Sequence, residues 1–184
     1  MHYTCLNQQH FDQGAYRLVP MRYQDIMQIK QWRNEQIGIL RQQTPLTNTQ
    51  QEEYYQNVVI PGFKEHQPRQ ILMSFLFKEE CIGYGALVHI DWENKQAEVS
   101  FLVDTQRAAN PSLYKLDFSN YLQLIKQLAF QDLHFKRLYA ETYDIRAQHV
   151  EILESQGFIL EKRLKDHVVK EGKTMDSLIH GCVS

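Results

Sequence analysis

Between residues 71 and 104 the chain runs through three apolar-rich segments parted by two short polar breaks, and no other feature constrains its fold as tightly. Ile71–Phe77 is one apolar-rich run, bounded by Lys78-Glu79-Glu80. Residues 81–91 follow, then the polar turn Trp92-Glu93-Asn94-Lys95, then residues 96–104. In the last segment Ala97, Val99, Phe101 and Val103 share one face, and Glu98, Ser100, Leu102 and Asp104 the other. Short runs of this kind, bounded by turn residues, read as strands. Breaks this short join strands antiparallel, so an antiparallel meander is expected.

The flanking segments supply the helices. Tyr16-Arg17-Leu18-Val19-Pro20 reads as a short strand, and Ile26, Ile29 and Trp32 recur at helical spacing, predicting a helix over 23–34. Thr47 with Gln50, or Thr49 with Glu52, fits a capping box, which places a second helix near 49–59, closed by Pro61-Gly62. Pro111-Ser112 opens a long amphipathic stretch whose stripe is read as Leu113, Leu116, Tyr121, Leu124, Ile125 and Leu128, ending near Asp132. A strand over 138–143 and a helix over 147–156 stopped by Gly157 come next. A last hairpin, 158–170 with 174–183, turns at Glu171-Gly172-Lys173. The order β-α-α-β-β-β-α-β-α-β-β argues an α/β fold: a mixed, mostly antiparallel sheet with helices on both faces. Residues 1–14, polar and rich in Gln, are expected to be a loosely ordered N-terminal arm before a single domain over 15–184.

Composition narrows the function classes. A chain of 184 residues with 43% hydrophobic and 23% charged residues suits one globular domain that needs no disulfide or metal staple. Lys and Arg total 20 against 22 Asp and Glu, so no sequence-wide positive charge invites nucleic acid or an anionic membrane. No apolar stretch approaches the ~20 residues that span a bilayer, and the start has no secretory pattern, so a cytoplasmic protein is expected. Cys5, Cys81 and Cys182 are scattered, suit a reducing compartment and form no ligand spacing with the eight His, so no metal is expected. GxSxG, Walker and GxGxxG motifs are absent.

Several motifs in order carry a family resemblance. They are Tyr16-Arg17-Leu18-Val19, Trp32-Arg33-Asn34, Ile82-Gly83 followed by Ala97-Glu98-Val99-Ser100-Phe101, Leu153-Glu154-Ser155-Gln156-Gly157-Phe158, and Met175-Asp176. Together, over about residues 16–183, the chain resembles the GNAT superfamily of acyl-CoA N-acyltransferases. It is similar to two branches, the acetyltransferases of nucleotide-linked amino sugars and the ribosomal-protein N-terminal acetyltransferases. The resemblance implies acetyl-CoA as co-substrate and a primary amine on a small molecule as acceptor. An amino sugar, free or nucleotide-linked, is the first reading. A protein N-terminal acetyltransferase and a non-catalytic GNAT-like binding module are the rivals, and a homodimer is compatible with all three.

The resemblance also implies site residues. The acyl-CoA arm would run beside Phe101, Leu102 and Val103, and the pyrophosphate would meet Arg107, Ala108, Ala109, Asn110, Ser112 and Leu113. That loop lacks the family's glycines, so Asn110 is the residue best able to take a positive φ there, and Pro111 suits a first helical position. The family's usual Asn falls on Arg146, which either meets CoA phosphates or is an exposed helix-start arginine. Its usual Tyr, which protonates the leaving thiolate, falls on Leu153, which cannot. Trp32, Arg33, Asn34 and Tyr84 would line the acceptor groove, with Arg33 gripping a diphosphate and Trp32 stacking on a sugar or base, or else packing in the core.

Residue chemistry adds the acid and base. With a four-residue turn at 92–95, Asp91 pairs with Gln96 and His89 falls opposite Glu98, making His89 and Glu98 an acid/base pair or a solvated cross-strand contact. Tyr139, Glu141 and Tyr143 share a face, and Tyr143 is either a replacement acid or a core aromatic with a wet hydroxyl. His149 reads as a surface residue, and Cys81 as a small buried hydrophobe.

Overall fold

A computed structural model describes residues 1–170 and 172–184. Its strands are β1 (Phe11–Gln13), β2 (Tyr16–Pro20), β3 (Ile71–Phe77), β4 (Glu80–Asp91), β5 (Gln96–Val103), β6 (Arg137–Tyr143), β7 (Ile159–Lys170) and β8 (Lys173–Val183). Among the described residues they form one sheet in the order β1-β2-β3-β4-β5-β6-β8-β7. Neighbours run antiparallel except β5 and β6, which are parallel. The turn expected in the last hairpin includes Glu171, which lies outside the described residues.

Helices cover both faces because strand alternation sends apolar groups both ways. Ser74, Tyr84 and Leu102 are register partners across β3, β4 and β5. They face α1 (Ile26–Glu35): Ser74 Oγ donates to buried Asp25 at 2.6 Å, and Arg33 donates to the Tyr84 hydroxyl. On the opposite face Phe75 and Phe101 meet Phe118 and Tyr121 of α5 (Pro111–Lys126). A Cβ at Gly85 would sit 2.1 Å from the Tyr121 hydroxyl, so glycine alone admits that side chain, which donates to the Ser100 carbonyl at 2.7 Å. Helix α6 (Ala147–Ser155) ends at Gly157, φ +83°, as its left-handed stop.

Four expectations need correction. The second helix, capped by the Thr47–Gln50 box, does not end at Pro61-Gly62: α2 (Asn48–Tyr54) passes through a π turn at Tyr55–Val59 into α3 (Ile60–Lys64). Proline lacks an N–H and its ring crowds the carbonyl four residues back. The widened turn, with Ile60 N–H reaching back to the Tyr55 carbonyl, accommodates Pro61 without breaking the helix. The stripe on α5 runs through Tyr114, Phe118, Tyr121, Leu122 and Ile125, and Leu116 is half exposed. Residues 1–14 are not a loose arm: Tyr3, Leu6 and Phe11 are buried, and Asn7 and Gln8 amides donate to the Asp132 carboxylate at 3.0 Å each. Three buried apolar side chains, each contributing about 1.5–3 kcal/mol, outweigh the polarity of that segment. Finally, Val88, not His89, is the register partner of Glu98, because a bulge at 89–90 precedes Asp91↔Gln96.

Candidate active site

The site follows from a fork in the sheet. Strands β5 and β6 pair only at Gln96–Arg137, Ala97–Leu138 and Glu98–Tyr139. Beyond Glu98, β5 stays with β4 to Val103 while β6 stays with β8 to Tyr143, so the two separate. A cavity of about 550 Å³ occupies the fork and reaches both faces of the sheet.

The phase of the ladder decides which backbone groups the fork exposes. Asp104 N–H donates to the Ile82 carbonyl, so the even residues of β5 direct their N–H and C=O groups to β4 and the odd ones to the other side. Val99 and Phe101 therefore present backbone N–H and C=O groups to the cavity, which both of them line. Leu102 points its backbone the other way, and the Val103 carbonyl accepts from Gln36 Nε2 at 2.8 Å. Of Phe101, Leu102 and Val103, it is Phe101 that lines the cavity.

On the α1 face the cavity is lined by charged groups. Glu98 Oε2 lies 2.8 Å from His89 Nδ1, and Glu98 Oε1 accepts from Arg41 Nη2 at 2.8 Å. Arg41 Nη2 also donates to Glu141 Oε2 at 2.8 Å. The Glu98 side chain is 7% exposed and that of His89 62%, so His89 is the accessible member of the dyad. The bulge produces this arrangement: His89 sits at φ 48°, which turns its ring onto Glu98 despite the shifted register. Tyr84 and Arg33 line the same half, as do Arg69 and Tyr143. Burial pushes the Tyr143 phenol upward.

On the α5–α6 face the wall is Phe118, Ala140, Leu153 and Thr142, with His149 and Arg146. Thr142 Oγ1 is buried without a hydrogen-bond partner among the described residues. His149, read from sequence as a surface residue, is 7% exposed and stacked on Phe118 at 4.2 Å between centroids. Burial, then the charge of Arg146, holds its imidazole well below the usual histidine range. Arg146 Nη2 donates to the Tyr114 hydroxyl at 2.6 Å instead of standing free in solvent.

The remaining sequence candidates lie elsewhere. Trp32 is 3% exposed in the core and does not reach the cavity. Asn34 binds Leu46 and Gln42, organising the loop that carries Arg41. Burial pushes the Cys81 thiol up to about 12, which disfavours its thiolate. The glycine-free loop is not an open cradle. Thr105–Ala109 forms a short helix, α4, whose Gln106 and Arg107 amides are capped by Asp104 Oδ1. Asn110 takes an ordinary φ of −98°, and its Oδ1 accepts from the Ser112 and Leu113 amides at 3.1 Å each. Arg107 grips fully buried Asp117 with two bonds of 2.7 Å, and Ala108 packs against the core.

A family model described as an acetyltransferase (GNAT) domain matches residues 18–179. The chain belongs to the GNAT acetyltransferases. It is accordingly an acetyl-CoA-dependent acetyltransferase. It matches no curated protein sequence. Among solved structures, the GNAT chain is similar to spermidine N-acetyltransferase from Vibrio cholerae in complex with CoA and spermine. That likeness has 15% identity and a TM-score of 0.78, over 93% of this chain and 96% of that one. It is also similar to the microcin C7 self-immunity acetyltransferase MccE in complex with acetyl-CoA and AMP, at 14% identity and TM-score 0.75, over 94% of each chain. At such identities both likenesses speak for the fold alone.

The residues present fit acetyl-CoA unequally. The open edge at Val99 and Phe101 and the unpartnered Thr142 hydroxyl suit the amides and thioester of the acyl arm. At the α4–α5 turn, where the resemblance would put the pyrophosphate, the Gln106, Arg107, Ser112 and Leu113 amides are already satisfied by Asp104 and Asn110.

Proposed function

We propose that this GNAT acetyltransferase acetylates the primary amine of a small amino sugar carried on a nucleotide or similar phosphate-bearing group. The observation that supports this reading is the charge arrangement of the acceptor half. Arg33 and Arg69 line it with no acidic partner among the described residues, whereas the carboxylates Glu98 and Glu141 are already bridged by Arg41. Such a wall repels a polyamine and attracts an anion, since arginine binds phosphate oxygens in bidentate pairs. The amine would sit at His89, whose imidazole takes its proton while Glu98 holds the ring on the other nitrogen. The Val99 and Phe101 N–H groups would stabilise the tetrahedral oxyanion. Trp32 has no part in this reading, and Tyr143 lies on the acceptor side with Glu141.

The test is an acceptor screen that reads thiol release from acetyl-CoA with nucleotide-linked amino sugars, free amino sugars, polyamines and peptides. The nucleotide-linked amino sugars are expected to give the highest kcat/KM. Arg33→Ala and Arg69→Ala should each raise their KM about 10-fold or more, as loss of a charge-assisted hydrogen bond of about 1.5–3 kcal/mol implies. Faster turnover of a polyamine or a peptide overturns the reading.

A further inference from the structure

Thioester aminolysis leaves a thiolate that must gain a proton, and on the α5–α6 wall the acyl end of the cavity is otherwise apolar. Phe118, Ala140 and Leu153 form most of it, and its neutral protic side chains are the Thr142 hydroxyl and the His149 imidazole. His149 precedes Leu153 by four residues on α6, so the two share the cavity-facing side of that helix.

Hydrogen-bond counting points to one His149 tautomer. Tyr114 Oη accepts from Arg146 Nη2 at 2.6 Å and lies 2.7 Å from His149 Nδ1. An arginine donates only, so the single phenolic proton is free to go to Nδ1. Nδ1 is then an acceptor, and the ring proton sits on Nε2, which has no protein partner among the described residues. The stack on Phe118 fixes the ring plane. An oriented donor and the unpartnered Thr142 hydroxyl thus share one wall.

We propose that His149 is the proton donor to the leaving thiolate, with Tyr114 and Arg146 as positioning residues behind it. The proposal rests on the acetyltransferase reading of this cavity. As the tetrahedral intermediate collapses, the C–S electron pair moves to sulfur and the Nε2 proton follows it, forming the S–H bond. Nδ1 takes the Tyr114 proton in the same step, so the imidazole stays neutral. The phenolate is held by the Arg146 guanidinium; once CoA leaves, water admitted to the cavity protonates Nε2 and Nδ1 returns its proton to Tyr114, which restores the starting tautomer. The buried ring remains uncharged throughout, which suits a site that cannot solvate an imidazolium.

The experiment compares two acyl donors that differ in their need for a proton: acetyl-CoA, and the acetyl thioester of 4-nitrothiophenol, whose acidic thiol leaves unprotonated. His149→Gln keeps polarity and approximate size but cannot relay, and is expected to lower kcat with acetyl-CoA about 10²-fold or more. Its acetyl-CoA affinity should be unchanged. With the nitrothiophenyl donor the loss should shrink to under about threefold. Tyr114→Phe is expected to show the same donor dependence at smaller size. An equal loss with both donors, or wild-type kcat with acetyl-CoA, overturns the proposal and makes His149 a packing residue. Wild-type protein supplies a readout independent of either variant's folding: ¹⁵N-imidazole NMR should show a neutral histidine protonated on Nε2, and protonation on Nδ1 overturns the relay. Wild-type protein that binds acetyl-CoA and releases no thiol to any acceptor would instead defeat the enzymatic reading itself.

Discussion

The β5–β6 fork and the α4–α5 turn are built on opposite principles. At the fork between β5 and β6 the backbone is left unpaired: Val99 and Phe101 face a cavity, and a buried threonine hydroxyl lacks a partner among the described residues. At the α4–α5 turn nothing comparable is open, because Asp104 and Asn110 side chains consume the very amides that an anion would need. The first region stores unsatisfied polarity for a ligand, while the second spends its polarity on its own stability. Binding energy in this enzyme should therefore come from the acyl arm and its surrounding charges more than from a preformed phosphate cradle.

The comparison breaks most visibly through catalysis. His89→Asn at the open end is expected to lower kcat by about 10²–10⁴-fold, the range for general-base chemistry, with acetyl-CoA affinity preserved. Steady-state rates from pH 6 to 9 should show the deficit shrinking as the acceptor amine loses its proton unaided. Wild-type turnover across that range would reduce the His89–Glu98 dyad to a structural contact.

Arg107→Ala, at the closed end, should act on stability. Among the described residues it leaves the fully buried Asp117 with only the Tyr16 hydroxyl, at 2.8 Å, so a loss of about 3–5 kcal/mol is expected in urea unfolding. Calorimetry on the folded variant should find acetyl-CoA affinity within a factor of about two of wild type. A large drop in affinity with little change in stability would instead put the Arg107 charge on the pyrophosphate.

The smallest effect sharpens the contrast. Asn110→Ala removes a helix cap, which costs about 1 kcal/mol, and frees the Ser112 and Leu113 amides. Acetyl-CoA affinity is expected to hold or rise while the unfolding midpoint falls. Weaker binding would show that the Asn110 side chain itself meets the phosphates.

Much of the frame was legible because it rests on local signals. The meander around Trp92–Lys95, the Thr47–Gln50 cap and the Gly157 stop each depend on a few neighbouring residues. Glu98, His89, Arg33 and Tyr84, named from the sequence, all line the cavity at the fork. Failures came where distant residues decide. The π turn that carries a helix through Pro61, the bulge that turns His89, and the burial of Tyr3 and Phe11 are answers to packing that no window of the sequence contains.

What this sequence determined by itself was most of the order of strands and helices from Tyr16 onward, because hydrophobic period and turn chemistry act over a few residues, while the ordered motifs carried the family resemblance. The tertiary structure alone decided where β5 and β6 part, that Arg41 bridges Glu98 and Glu141 across 57 and 100 residues of chain, and that His149 lies beneath Phe118 against Tyr114. It also decided that Arg107 and Asn110 are occupied within the fold. Pairing of charges, satisfaction of buried donors and the opening of a sheet are set by which surfaces meet, and that is a property of the packed chain.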